Sequence, residues 1–215
     1  MRHFFLLFQQ FKIAFCFDDI KLKSFTMKKI LVAVFVLFSF VAFSNDEKEA
    51  LIIIDEQDFY FEGGDAELVN PVPAAENTKL LLDRFRQEGK LVIYVKHNYE
   101  PGGDIYKLVA PIDDEKIFTK DDVNAFLGTG LNEYLKECGI TKLVLCGMQT
   151  HMCLEAATRA GHDLGYKCIV IGDACATRDL KFNDNVVPAE QVHLSTLATL
   201  TAYAKVMTTT AYLDI

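Results

Sequence analysis

The chain has 215 residues, of which 51% are hydrophobic, so it is long enough to bury one substantial core. Its formal net charge of −8 argues against a protein that holds nucleic acid through a basic face, because such faces neutralise phosphates with Lys and Arg. Small neutral or cationic ligands are compatible with this charge.

The first 44 residues differ from the rest of the chain. From Met27, two lysines precede an apolar run from Ile30 to Phe43, and small residues stand three positions and one position before Asn45. This pattern is typical of a signal peptide, and the run is shorter than the roughly 20 residues that span a bilayer. We therefore predict that translation starts at Met27 and that cleavage follows Ser44.

Two segments follow from this prediction. Residues 1–44 form an upstream extension and signal peptide, and residues 45–215 form the mature domain. The protein would then be exported, to the periplasm or out of the cell, and would meet a membrane only through its N-terminal signal. The alternatives are a cytoplasmic form and a form that the uncleaved run anchors in the membrane.

The cysteines do not form the pattern of a disulfide scaffold. Removing the segment that contains Cys16 leaves five cysteines with no regular spacing, namely Cys138, Cys146, Cys153, Cys168 and Cys175. Because this number is odd, at least one thiol stays free. Cys146 and Cys168 lie within apolar runs and are most simply core residues. Whether any disulfide forms is left open.

After Asn45, short apolar runs alternate with amphipathic stretches, which is typical of an α/β fold. The runs are rich in β-branched residues, as strands buried on both faces require. The predicted strands are Ala50–Ile54, Leu91–Val95, Leu143–Cys146, Cys168–Ile171 and a shorter one at Ala204–Met207. The predicted helices are Glu76–Gln87, Leu131–Cys138, Cys153–Leu164 and Ala189–Tyr203. We predict a doubly wound, three-layer αβα sandwich with a mostly parallel, Rossmann-like sheet.

This architecture predicts where a site would be. Ligands of open α/β sheets bind outside the carboxyl ends of the strands. Polar side chains stand there after three of the predicted strands: 55–57 after the first, 96–98 after the second, and 147–153 after the third. We expect these groups to converge.

Cys153 is the strongest candidate among them. A strand leads through a turn at Gly147 into a helix whose first residues include Cys153. Unpaired N–H groups and the positive end of the helix dipole at such a position lower a thiol pKa toward the thiolate, and the same groups could hold an oxyanion. The alternative for a cysteine in this pattern alone is an ordinary buried helix residue.

Three sequence blocks resemble the signature blocks of isochorismatase-like cysteine hydrolases, in the order and spacing of that family. They are ALIIIDEQDF at 50–59, KDDVNAFLGTGL at 120–131 and GMQTHMCLEAATRAGHDLGY at 147–166, and DACATRD at 173–179 also fits. The resemblance implies a catalytic triad of a strand-end Asp55, a loop Lys120 and a helix-start Cys153.

The chemistry of these side chains is consistent with those roles. Asp55 can accept the thiol proton and return it to a leaving amine, while the charge of Lys120 keeps the carboxylate ionised and favours the thiolate. Without the resemblance, Asp55 would be interpreted as a carboxylate that caps a turn, and Lys120 as a solvated charge on a loop.

The resemblance also implies supporting residues. A non-proline cis peptide is expected between Met148 and Gln149, and it would direct the N–H groups of Met152 and Cys153 at the substrate oxygen. The pocket candidates are Gln149 and four further residues: Phe59, Tyr99, Phe126 and His151. For Phe59 and Phe126 a core position is the alternative.

No metal or other cofactor is expected. The nicotinamidase branch of the family carries an Asp and His cluster after the second strand, whereas this chain has VKHNYEPGGD at 95–104. His97 alone is a poor metal site, because a stable one needs about three protein ligands.

The sequence therefore predicts a hydrolase that cleaves the C–N bond of a small-molecule amide through a thioester on Cys153. The alternatives are a catalytically silent α/β protein that binds a small molecule, and a hydrolase of a vinyl ether such as isochorismate. An amide is favoured because a nucleophilic cysteine is suited to acyl transfer. We expect a small-molecule substrate, no nucleic acid partner, and a homo-oligomer.

Overall fold

The computed structural model describes residues 47–112 and 114–215. Its strands are β1 (Glu49–Ile54), β2 (Leu91–His97), β3 (Lys116–Lys120), β4 (Lys142–Met148), β5 (Lys167–Ala176), β6 (Leu180–Phe182), β7 (Asn185–Val187) and β8 (Ala204–Met207). Its α-helices are α1 (Pro71–Gln87), α2 (Leu131–Glu137), α3 (Glu155–Asp163), α4 (Ala189–Leu200) and α5 (Thr209–Leu213). Short 3₁₀ turns lie at Asp58–Tyr60 and Lys107–Val109, and a π-helical turn lies at Thr150–Leu154.

Six strands form one parallel sheet in the order β3-β2-β1-β4-β5-β8, and β6 pairs with β7 as a separate antiparallel hairpin. The chain moves outward from β1 to β2 and β3, then returns to place β4 on the other side of β1. The strand order therefore reverses between β1 and β4. In open α/β sheets the crevice beside such a switch point is the usual ligand site.

Helices cover both faces of this sheet, because alternate residues of each buried strand point to opposite sides. On one face, Ile52 and Ile54 pack in a cluster that includes Leu131 of α2 and Ala157 of α3. On the other face, Ile53 packs in a cluster with residues of α1 and α5, namely Leu81, Leu82, Phe85 and Tyr212. The predicted doubly wound sandwich is confirmed.

Most predicted elements are present, but their ends differ: β1, β2, β4 and β5 are longer than predicted, whereas α2, α3 and α4 are shorter. α1 begins five residues earlier than predicted, because Pro71 and Pro73 fit the first turn of a helix, where no N–H is needed. β3 was missed. Its sequence KIFTK is short and carries a lysine at each end, as is typical of an edge strand, and three of its five residues are exposed.

The predicted signal peptide and its cleavage point after Ser44 lie outside the described residues. Among residues 47–112 and 114–215, no helix is both long enough and apolar enough to cross a membrane.

Candidate active site

Asp55 lies at the carboxyl end of β1, directly beside the switch point. Its backbone N–H donates to the carbonyl of Val95 at 2.8 Å, and its side chain is completely buried. Burial raises the pKa of the Asp55 carboxyl, and the positive charge of Lys120 opposes that effect. Oδ2 of this carboxylate is paired with Lys120, and within the described part of the chain Oδ1 has no hydrogen-bond partner. A buried carboxylate in this state can accept a proton readily.

Lys120 is the last residue of β3, so the prediction that it lies on a loop is wrong in detail. The carboxyl end of the strand delivers its side chain to the same crevice, and that side chain is completely buried. Its Nζ lies 2.8 Å from Asp55 Oδ2 as an ion pair and donates to Cys153 Sγ at 3.3 Å. Lys120 therefore joins the other two residues of the predicted triad.

Cys153 lies in the π-helical turn that precedes α3 and is 5% exposed. Burial raises the pKa of its thiol to about 12, and the negative charge of Asp55 adds to the increase while Lys120 opposes it. The prediction of a lowered pKa is therefore wrong, because desolvation and a neighbouring carboxylate outweigh the helix terminus. The resting nucleophile candidate is a neutral thiol.

Gly147 allows β4 to pass close to β1 just before this turn. Its φ is +115°, and a Cβ at this position would lie 2.0 Å from the carbonyl oxygen of Ile54. A side chain here would push the two strands apart beside Asp55. The residue type is thus required by the backbone that holds the candidate acid and nucleophile together.

The predicted cis peptide between Met148 and Gln149 is present. Gln149 is buried, and its Nε2 donates to the hydroxyl of Tyr60 at 3.1 Å. The N–H of Met152 donates to the carbonyl of Gln149 at 3.0 Å. The N–H of Met152 could therefore donate to a substrate oxygen, as the sequence predicts, only if its bond to Gln149 were broken.

The four other pocket candidates lie in different surroundings. The ring of Phe59 packs between those of Tyr60 and Tyr99, with centroids 4.2 and 4.5 Å away. Phe126 packs against the core cluster that contains Cys153, which favours the core alternative for that residue. His151 is partly exposed, and its Nδ1 lies 2.6 Å from the hydroxyl of Thr177.

Two side chains of the site were noted at strand ends but given no role. His97, the last residue of β2, places its Nδ1 3.1 Å from Lys120 Nζ. Gln57 is completely buried; its Oε1 accepts from the N–H of His97 at 2.7 Å, and its Nε2 donates to the carbonyls of His97 and Gly103. The feature of the sequence that could have identified them as site residues is their position at the carboxyl ends of neighbouring strands.

The described residues contain no group of three or more His, Cys, Asp or Glu side chains arranged to hold a metal ion. The chemistry that the site can perform on its own is proton transfer and nucleophilic attack. A thiol, a buried carboxylate and a buried ammonium lie in mutual reach, and such a set can support acyl transfer through a thioester.

Comparison with known proteins identifies the family to which the chain is similar. The isochorismatase domain model matches residues 49–211. An uncharacterized isochorismatase family protein, YddQ of Bacillus subtilis, is 42% identical over 176 residues, which cover 76% of this chain and 98% of that protein. Streptothricin hydrolase of Streptomyces noursei is 30% identical over 145 residues, 61% of this chain and 51% of that one.

A solved structure shares both fold and sequence with the chain. The crystal structure of a putative isochorismatase hydrolase from Oleispira antarctica superposes with a TM-score of 0.76 at 40% identity, covering 79% of this chain and 98% of that one.

Proposed function

The chain belongs to the isochorismatase family of hydrolases, and we propose that it cleaves the C–N bond of a small-molecule amide through a thioester on Cys153. The observation that carries the proposal is the buried contact of Lys120 with both Asp55 and Cys153 at the switch point of the sheet. A buried thiol whose proton has a base nearby is equipped for covalent catalysis.

The reaction would run in two halves that share one proton carrier. In the first half, Sγ of Cys153 attacks the amide carbon while Asp55 takes the thiol proton. Asp55 then gives that proton to the nitrogen as the C–N bond breaks, and the amine leaves. In the second half, water attacks the thioester while Asp55 takes a proton from it and returns one to Sγ. The carboxylic acid leaves, so that amide and water become acid and amine.

The resting protonation states support this sequence. Burial raises the pKa of Cys153, so its thiol keeps its proton, and burial also raises the pKa of Asp55, which makes that carboxylate a better proton acceptor than an exposed one. Lys120 contacts both, so its charge stabilises the negative charge whether it rests on oxygen or on sulfur. When the proton moves from sulfur to the carboxylate, the negative charge moves from Asp55 to Cys153 and stays in contact with Lys120.

The oxyanion of the tetrahedral intermediate needs donors as well. Because Met152 N–H is bonded to Gln149, the N–H of Cys153 is the donor that we propose for this oxygen. It belongs to the same residue as the nucleophile, so it lies close to the carbonyl that the sulfur would attack.

The test is turnover of a panel of small amides, with isochorismate as the vinyl ether, combined with intact mass measurement of the protein. Cys153→Ala should abolish turnover and any covalent adduct, whereas Cys138→Ser, at a thiol outside the site, should keep both. Turnover by Cys153→Ala within about twofold of the parent would contradict the proposal. Cleavage of isochorismate alone would favour the vinyl ether alternative, and binding without turnover would favour a silent binding protein.

A further inference from the structure

Lys120 Nζ has three neighbours among the described side chains. They are Asp55 Oδ2 at 2.8 Å, His97 Nδ1 at 3.1 Å and Cys153 Sγ at 3.3 Å. An ammonium carries three protons and has no acceptor. The three contacts therefore match the three protons, and His97 is the one neighbour that the proposed mechanism does not use.

The contact fixes which nitrogen of His97 carries the proton. Lys120 can only donate, so Nδ1 must be an unprotonated acceptor and the ring proton must lie on Nε2. A protonated ring would instead place a second positive charge 3.1 Å from the ammonium. The neutral Nε2–H form of His97 is the form compatible with a charged Lys120.

The backbone of His97 is held in place for this contact. His97 pairs with Lys120 in the register of β2 and β3. Its N–H donates to Gln57 Oε1 at 2.7 Å, and its carbonyl accepts from Gln57 Nε2 at 2.9 Å. Gln57 in turn lies two residues after Asp55 and is completely buried. The ring is thus attached to the same framework as the candidate base.

We propose that His97 is a positioning residue, whose neutral imidazole accepts one proton of Lys120 and so directs the other two at Asp55 and Cys153. The proposal rests on the proposed function in one respect, that Lys120 and Cys153 act in the reaction. His97 itself acts through Lys120 and transfers no proton. Without it, the ammonium would have one proton lacking a protein acceptor and would rotate or shift toward water on the partly exposed side of His97. The longest of the three contacts, at 3.3 Å to Cys153 Sγ, would be lost first.

Two isosteric substitutions separate the nitrogens of the ring. Asparagine places its amide oxygen where Nδ1 lies, and glutamine places its amide group where Nε2 lies. We expect His97→Asn to keep turnover within about threefold of the parent, and His97→Gln and His97→Phe to lose about tenfold or more, because hydrogen bonds to a charged group are stronger than those between neutral groups. The loss should fall on kcat with KM little changed, because the ammonium acts on the nucleophile.

The same full-length variants are to be alkylated with iodoacetamide, and the Cys153 peptide quantified by mass spectrometry. His97→Phe should slow alkylation of Cys153 by about tenfold, since the thiolate would lose its contact with Lys120, and His97→Asn should not. His162→Phe, at an exposed histidine of α3, is the matched control and should leave the rate unchanged. Retention by His97→Gln with loss in His97→Asn would overturn the proposal, as would equal rates in all variants.

A measurement on the unsubstituted protein guards against variants that fail to fold. Long-range ¹H–¹⁵N NMR of histidine rings, with His97 identified by its missing signal in His97→Asn, should show the Nε2–H form at the pH of the activity assay. A proton on Nδ1 would overturn the proposal. Neither the NMR nor the alkylation needs a substrate, so failure of the amide proposal and failure of the His97 proposal give different results.

Discussion

Replacing Glu56 by glutamine should change the pH dependence of stability in a defined way. Glu56 follows Asp55 but lies under α1, where Thr78 donates a hydrogen bond to its Oε1. Its side chain is buried, and Oε2 has no partner among the described residues. Burial raises the pKa of Glu56 from 4.5 to about 8, against the smaller opposite effect of Thr78.

The sign and size of the effect follow from that pKa. Between pH 4.5 and about 8 the folded protein holds a proton on Glu56 that the unfolded chain has lost, so stability falls as pH rises through this window. A shift of one unit corresponds to about 1.4 kcal/mol, so up to about 5 kcal/mol is lost by the time the pH exceeds 8. Glutamine stays neutral, but its buried N–H₂ lacks an acceptor at a cost of about 1 to 3 kcal/mol.

Glu56→Gln should therefore be the less stable protein near pH 4, by about 1 to 3 kcal/mol, and the more stable one near pH 9, by about 2 to 4 kcal/mol. Urea unfolding at a series of pH values measures both differences. Glu62→Gln, at an exposed carboxylate, should follow the parent throughout. If the difference between Glu56→Gln and the parent stays constant across this range, Glu56 ionises as it would in water and the reasoning fails.

Four further predictions concern the site and the whole protein. Asp55→Asn should lower turnover at least about 100-fold while keeping the fold, because it removes the proton carrier. Lys120→Met should slow alkylation of Cys153, because it removes the charge that opposes the raised pKa of that thiol. Protein expressed in a bacterium from Met27 should be recovered outside the cytoplasm with Asn45 as its first residue. A homo-oligomer is still expected, and Phe182, which is 75% exposed on the β6–β7 hairpin, is a candidate contact between subunits. Phe182→Asp should therefore lower the mass of the protein in solution.

Each of the four predictions has a control variant or an outcome that would contradict it. Asp65→Asn and Lys107→Met change exposed charges of the same kind and should leave turnover and alkylation unchanged. A loss of less than about twofold in Asp55→Asn would remove it from the mechanism. Soluble cytoplasmic protein that keeps Met27 would contradict export. A monomer by sedimentation at all concentrations would contradict self-association.

Much of the fold could be predicted because its strands are buried on both faces. Runs such as Leu143–Cys146 carry no polar residue, so their strand character and their place in a central sheet follow from composition alone. The rule that ligands bind at the carboxyl ends of the strands then predicts that Asp55 and Cys153 lie at one crevice. β3 and the β6–β7 hairpin were missed, because short, polar, exposed strands lack that signal.

The electrostatics of the site could not be predicted in the same way. A helix start suggests a lowered thiol pKa, but the sequence gives no measure of how deeply Cys153 is buried or how close Asp55 lies, and these decide the direction. Likewise, the only role considered for His97 from the sequence is that of a metal ligand, and that role is rejected. Its contact with Lys120 could not be predicted, because Lys120 is 23 residues away along the chain. Only the register of β2 and β3 brings the two together.

The most direct test of the central claim is to find the acyl group on Cys153 during turnover. The protein is mixed with an amide that it hydrolyses, quenched with acid and digested, and the peptides are identified by mass spectrometry. The account predicts that the peptide containing Cys153 gains the mass of the acyl group, and that the gain is absent in Cys153→Ala. Full turnover by Cys153→Ala, or an acyl group on another residue instead, would contradict it.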